Sequence, residues 1–157
     1  MKITLNEIKR HKASQSLLEK LLHYLGKSSP DDEFIDLVTI LESNGLPDAL
    51  WCADTLYDQK QRMKLSALFL KEVYHLMSEK LVQDLEALYQ YIDGAMTEDE
   101  FLDSGAGRDQ VWACADPSHA AWVVAWHARR AGNTEQALSE IKAKQVEILR
   151  KFLEETR

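Results

Sequence analysis

The feature that most constrains the fold is an apolar stripe of helical period: Leu65, Leu68, Phe69, Val73, Leu76 and Met77, within KLSALFLKEVYHLM. Apolar residues spaced in this way share one face of a 3.6-residue helix, and that face must be covered by neighbouring elements. Upstream, Gly45-Leu46-Pro47 marks the start of a shorter helix, with Pro47 at its first position, where the missing N–H breaks no hydrogen bond. Trp51 and Tyr57 on that shorter helix are large enough to fill the space between neighbours. The two helices are expected at the centre of the fold, joined at Asp58-Gln59-Lys60.

Helix punctuation recurs along the whole chain. Thr4-x-x-Glu7, Ser16-x-x-Glu19, Thr97-x-x-Glu100 and Asn133-x-x-Gln136 have the spacing of a capping box, in which two orphan backbone donors are satisfied reciprocally. Ser29-Pro30-Asp31-Asp32 and Asp116-Pro117 read as further starts. Gly26, Ser43-Asn44-Gly45, Asp93-Gly94 and Gly132 read as stops. Inner faces follow from the apolar positions: Leu17, Leu18, Leu21, Leu22 and Leu25; then Phe34, Leu37, Val38 and Leu41; then Leu81, Leu85, Leu88, Tyr89 and Ile92. The last is Leu138, Ile141, Ile148, Leu149 and Phe152. A single helix from Lys60 to Ile92 would be unusually long, so a turn is placed near Ser78 to Lys80. No stretch alternates convincingly between apolar and polar residues. The expectation is an all-α, single-domain bundle over residues 1–157, with about seven to eight helices of unequal length and a flexible Gly-rich loop near 104–107.

Composition bounds the function. No run approaches the roughly 18 apolar residues that cross a bilayer, and the first residues, MKITLNEIKRHKAS, hold no apolar core of signal-peptide length. The two cysteines, Cys52 and Cys114, have no metal-binding or redox spacing. A reduced, cytoplasmic protein is expected, with no membrane partner. The net charge of −7 is unevenly spread. Between Lys27 and Lys60 there are eight acidic residues and no Lys or Arg; between Lys80 and Arg108 there are seven and again no cation. Such windows argue against nucleic acid, because phosphate binding needs a basic footprint. They are either a solvated face or a surface that steers a cationic partner. Asp31, Asp32, Glu33 and Asp36 in the first window, and Glu98, Asp99, Glu100 and Asp103 in the second, are therefore candidate partner-binding residues.

Catalytic constellations are weak. Glu72-Val-Tyr-His75 has the Glu-x-x-His spacing used in di-iron bundles, but the nearest candidate for the second copy such a site needs is Asp116-Pro-Ser-His119, where the Asp is better explained as a helix cap. Cys52 could pair with His75 or His119 only if the fold brought them together, and a buried inert thiol is the simpler role for both cysteines. Neither a Gly-x-Ser-x-Gly elbow nor a phosphate loop is present. The chain is therefore expected not to be an enzyme and to need no metal or cofactor.

Trp112, Trp122 and Trp126 are interleaved with alanines and followed by Arg129 and Arg130. Aromatic residues at helical spacing are usually core, filling gaps where small residues let helices approach. The alternative is a partner-binding ridge of Trp122, Trp126, Arg129 and Arg130, since Trp and Arg are enriched in interface hot spots.

Residues 4 to 56, and within them ILESNGLPDALWC (Ile40 to Cys52), resemble the N-terminal half of a bacterial family of immunity proteins of polymorphic toxin systems. KLSALFLKEVYHLM is similar to that family's Ala- and Phe-containing helix ending in a His-Leu pair, and ALYQYIDGAMTEDEF to its capped acidic helix, so the resemblance covers residues 4 to 102. Downstream it weakens. The family's long Ala-Trp-Ala-Ala-Arg repeat is shortened here to AAWVVAWHARRA, although IKAKQVEILRKFL again resembles the closing helix. The resemblance implies an all-helical protein that neutralises a cognate toxin by binding it, and it carries over no binding residue. A basic toxin would suit the acidic windows. A helical adaptor unrelated to toxins is the alternative function, and a homodimer stays open.

Overall fold

The computed structural model describes residues 2–106, 116–130, 132 and 134–156. Trp112 and Cys114, together with Gly107 of the Gly-rich loop and Asn133 of the last capping box, lie outside the described residues. Among those described, the elements run β1 (Lys2–Thr4), α1 (Leu5–Arg10), α2 (Gln15–Leu25), β2 (Phe34–Asp36), α3 (Leu37–Asn44), α4 (Leu46–Leu56), α5 (Gln59–Lys71), a 3₁₀ turn (Tyr74–Leu76), α6 (Glu79–Ile92), α7 (Glu98–Asp103), α8 (Pro117–Arg130) and α9 (Glu135–Glu155). The fold is all-α apart from one pair of three-residue strands. No helix is long and apolar enough to cross a membrane among the described residues.

The chain forms two compact units. The first comprises Met1–Leu56 with Leu149–Arg157, the second Tyr57–Ile148. In the first unit, β1 and β2 pair antiparallel with Ile3 opposite Ile35, and both isoleucines are buried. Thr4 ends β1 and caps α1. Its hydroxyl accepts from the Glu7 N–H at 3.1 Å, and the Glu7 carboxylate accepts from the Thr4 N–H at 2.8 Å. Residues 29–33 do not start a helix as the Ser29-Pro30 pattern suggested. They form a loop that feeds β2, and the Asn6 N–H donates to the Asp31 carbonyl across it. Phe34, expected on an inner face, is 66% exposed because strand alternation sends Ile35 inward instead. The cap of α2 is Ser14, two residues before the expected Ser16, and Gly26 closes that helix in the left-handed conformation.

α3 and α4 meet at Gly45, whose φ of 88° with ψ of −178° breaks the helix, and α4 begins at Leu46, with Pro47 second. Asn44 fixes this corner. Its amide donates to the Leu17 carbonyl of α2 at 2.9 Å and to the Asp48 carboxylate at 2.8 Å. From the C-terminal end of α9, Arg150 reaches Glu42 at 3.3 Å.

In the second unit, Asp58 and Gln61 close a capping box over α5. α5 buries Met63, Leu65, Ser66, Ala67, Phe69 and Leu70, which is wider than one stripe because α6 and α8 both pack on it. The stripe does not continue as one helix. α5 stops at Lys71, Val73 is buried, and Leu76 and Met77 are half-buried in and after the 3₁₀ turn. Ser78 then caps α6, at the expected turn. Tyr89 of α6 donates its hydroxyl to the Ala67 carbonyl of α5 at 2.8 Å. α7 is held to α6 by Phe101, which is buried and stacks on Tyr91 at 5.0 Å.

Candidate partner-binding surface

α8 starts where the sequence says it should. The Asp116 carboxylate accepts from the N–H groups of Ser118 at 2.8 Å and His119 at 3.2 Å, and Pro117 takes the first helical position. The face it buries is made of small residues: Pro117, Ala120, Val124 and Ala128. Residues four apart share one face, and this one packs on α5. Short side chains there let the two helices approach closely, which leaves no room for indoles between them.

The tryptophans consequently lie on the opposite side of α8, and the expectation that they fill gaps in the core is corrected for the two described ones. Trp122 is 58% exposed and Trp126 is 38% exposed. Their rings stack with centroids 6.5 Å apart. His119 lies against Trp122 at 5.7 Å, His127 meets Trp126 edge-on at 4.9 Å, and the Arg130 guanidinium covers the Trp126 ring at 4.7 Å. The result is an aromatic ridge along one helix face, held in place by its own contacts and open to solvent. Arg129 is exposed beside it.

Next to the ridge runs a groove between α8 and α9 of about 250 Å³, lined by Ala125, Arg129, Glu135, Leu138, Ser139 and Lys142. Gln145, almost fully buried, fixes the two helices by donating to the Ala121 carbonyl at 3.1 Å. Arg129 thus belongs to both ridge and groove. The spacing of Trp122 and Trp126 hints at the ridge, but nothing in the sequence points to the groove, because which face of α9 meets α8 is set by packing.

The acidic candidates divide between the two units. In the first, Lys27 draws Asp31 and Glu33 together at 2.7 and 2.6 Å. The Lys27 ammonium holds the Asp31 carboxyl below its ordinary range, and the two carboxylates raise Lys27. Asp32 accepts from the Asn6 amide at 3.0 Å, and Asp36 occupies the N-cap position of α3. In the second, Glu98, Asp99 and Glu100 form the first turn of α7, where the positive end of the helix dipole favours them, and Asp103 is exposed at its end. Glu100 is held below its ordinary range by accepting from the Thr97 N–H, the bond that closes the capping box, and from the Thr97 hydroxyl. Most of these acids therefore have a local structural role.

The remaining chemistry candidates separate. Glu72 is an α5 cap residue paired with Lys144 at 3.2 Å, while His75 is exposed in the 3₁₀ turn, so the two do not project together from one helix. Among the described residues no group of three or more His, Cys, Asp or Glu could hold a metal. Cys52 is fully buried, and burial, reinforced by the Asp48 charge, pushes its thiol up to about 12, so it stays protonated near neutral pH. Comparison with protein-family models, with curated proteins and with solved structures finds no match to this chain.

Proposed function

We propose that this protein acts by binding another protein through the Trp122–Trp126 ridge of α8, and that the partner is a toxin which it neutralises. The observation that carries the binding surface is the solvent exposure of two stacked indoles with an arginine over one of them. Exposed large aromatics contribute little to folding and are over-represented in hot spots, where rigid rings are anchored into a partner's pocket. The toxin reading rests on the resemblance of residues 4 to 102 to immunity proteins, and the all-helical fold agrees with it. The two acidic windows then act as secondary, steering charge rather than as the contact itself, because Lys27, Asn6 and the α7 cap already engage most of them.

The test is a pull-down of tagged protein from its native organism, in wild-type form and as the Trp122→Ala/Trp126→Ala double variant, at low and high salt. A partner retained by the wild type at both salts, lost by the variant, and growth-inhibiting unless co-expressed with this protein is the expected result. A partner held equally by the double variant refutes the ridge. A ridge-dependent partner that is harmless to cells refutes the toxin reading and leaves an adaptor.

A further inference from the structure

We infer that the α8–α9 groove and the indole ridge form one site, and that its occupant is an acidic segment of the partner: an apolar side chain flanked by one or two carboxylates. The inference rests on the proposed use of the ridge and adds the chemistry of what docks there.

Charge complementarity carries it. In a chain of net charge −7, α8 has no acidic residue from Pro117 to Arg130. Its exposed face ends in Arg129 and Arg130, and Lys142 faces the same groove from α9. Arg130 is engaged with Trp126. Arg129 and Lys142, like several other exposed cations, have no ion-pair partner among the described residues, but these two share one groove. Two cations from different helices, without an ion pair among the described residues and lining one concave surface, form an arrangement that a carboxylate completes. The lining between them includes Ala125 and Leu138, which suits an apolar side chain, and the Ser139 hydroxyl can donate to an oxygen.

The one acid in the lining sets direction. Glu135 is the first residue of α9, where the helix dipole favours it, and Lys142 is seven residues further on, about 10 Å along the axis. An incoming carboxylate is repelled at the Glu135 end and attracted at the Lys142 end. The carboxylate is therefore placed nearer Lys142 than Glu135.

A random dodecapeptide display library selected on the immobilised full chain, with the Trp122→Ala/Trp126→Ala variant as counter-selection, tests this. The expected result is enrichment of Asp or Glu beside an apolar residue. A synthetic copy of an enriched peptide should lose at least tenfold in affinity on Arg129→Glu, and again on Lys142→Glu. Both sites are exposed and on separate helices, and retained helicity by circular dichroism confirms that each variant folds. Enriched peptides without acids, or acidic peptides indifferent to both reversals, overturn the inference while leaving the ridge as a binding surface. Peptides that bind the double variant as well as wild type overturn both. Self-association in sedimentation that the double variant abolishes assigns the ridge to a second copy and also overturns the inference.

Discussion

Gly45 offers the sharpest test of how the α3–α4 corner is built. Its φ of 88° and ψ of −178° lie in a region open essentially to glycine alone. A β-carbon added there would meet only the Pro47 Cδ, at 4.0 Å, an ordinary contact. Any loss on Gly45→Ala therefore comes from the backbone and not from a clash. Forcing an L-residue into such a conformation costs about 1–3 kcal/mol. Alanine also restricts the unfolded chain, which offsets about 0.4–1 kcal/mol. The net expectation is a destabilisation of about 1–2 kcal/mol. At about 2–4 °C per kcal/mol for a chain of this size, that is a fall in melting temperature of about 2–8 °C. In urea, with a slope of about 2 kcal/mol per molar, the midpoint falls by about 0.5–1 M. Gly26 supplies the control. Its φ of 66° and ψ of 26° are ordinary left-handed values that asparagine tolerates, so Gly26→Asn should lose well under half of what Gly45→Asn loses. Tryptophan fluorescence and circular dichroism through the urea transition read both. Equal losses at the two sites, or no loss at Gly45, would refute the assignment of the cost to backbone conformation.

Three further outcomes are expected. Ser66 is fully buried in α5 and its hydroxyl has no hydrogen-bond partner among the described residues, so Ser66→Ala should stabilise by about 1 kcal/mol in urea denaturation; a loss would reveal a bond made by that hydroxyl. Cys52, with its thiol pushed up to about 12, should resist a thiol reagent at pH 8 in the folded Cys114→Ala variant and react once urea unfolds it; fast reaction in the folded state would contradict its burial. Asp31 has a folded value below its unfolded 3.8, so its contribution is present above that value and lost as pH falls through the folded one. The stability difference between wild type and Lys27→Met should therefore shrink below about pH 4, and carboxyl NMR should show Asp31 titrating nearer its ordinary value in the variant. An unchanged titration would mean that Lys27 is not the cause.

What was legible in the sequence was chiefly chemistry that acts within four residues. Thr4, Thr97 and Asp116 cap helices because a short oxygen-bearing side chain reaches an orphan N–H from that position, whatever the rest of the fold does. The stops at Gly26 and Asp93-Gly94 are equally local. The misplaced elements are those decided by distant partners. β2 has three residues, too few to show a period of two, and Ser29-Pro30-Asp31-Asp32 imitates a helix start; only its pairing with β1 makes it a strand. α5 shows one stripe in sequence but is covered from more than one side, so residues outside the stripe, such as Met63 and Leu70, are buried as well.

α8 inverts the usual rule for a related reason. Its sequence offers two competing faces, Trp122 with Trp126 and Ala120 with Val124 and Ala128, each at four-residue spacing. Size alone favours burying the indoles, since they remove more apolar area from water. Packing decides otherwise, because helices with small residues at the contact approach to the short end of the usual 8–10 Å range. A helix that buries alanines and leaves tryptophans in water forgoes apolar burial that turning the other face inward would gain. Such an arrangement is what a binding use of the exposed face would produce, and this asymmetry, more than charge or composition, is why we propose the site on α8 rather than on the acidic windows.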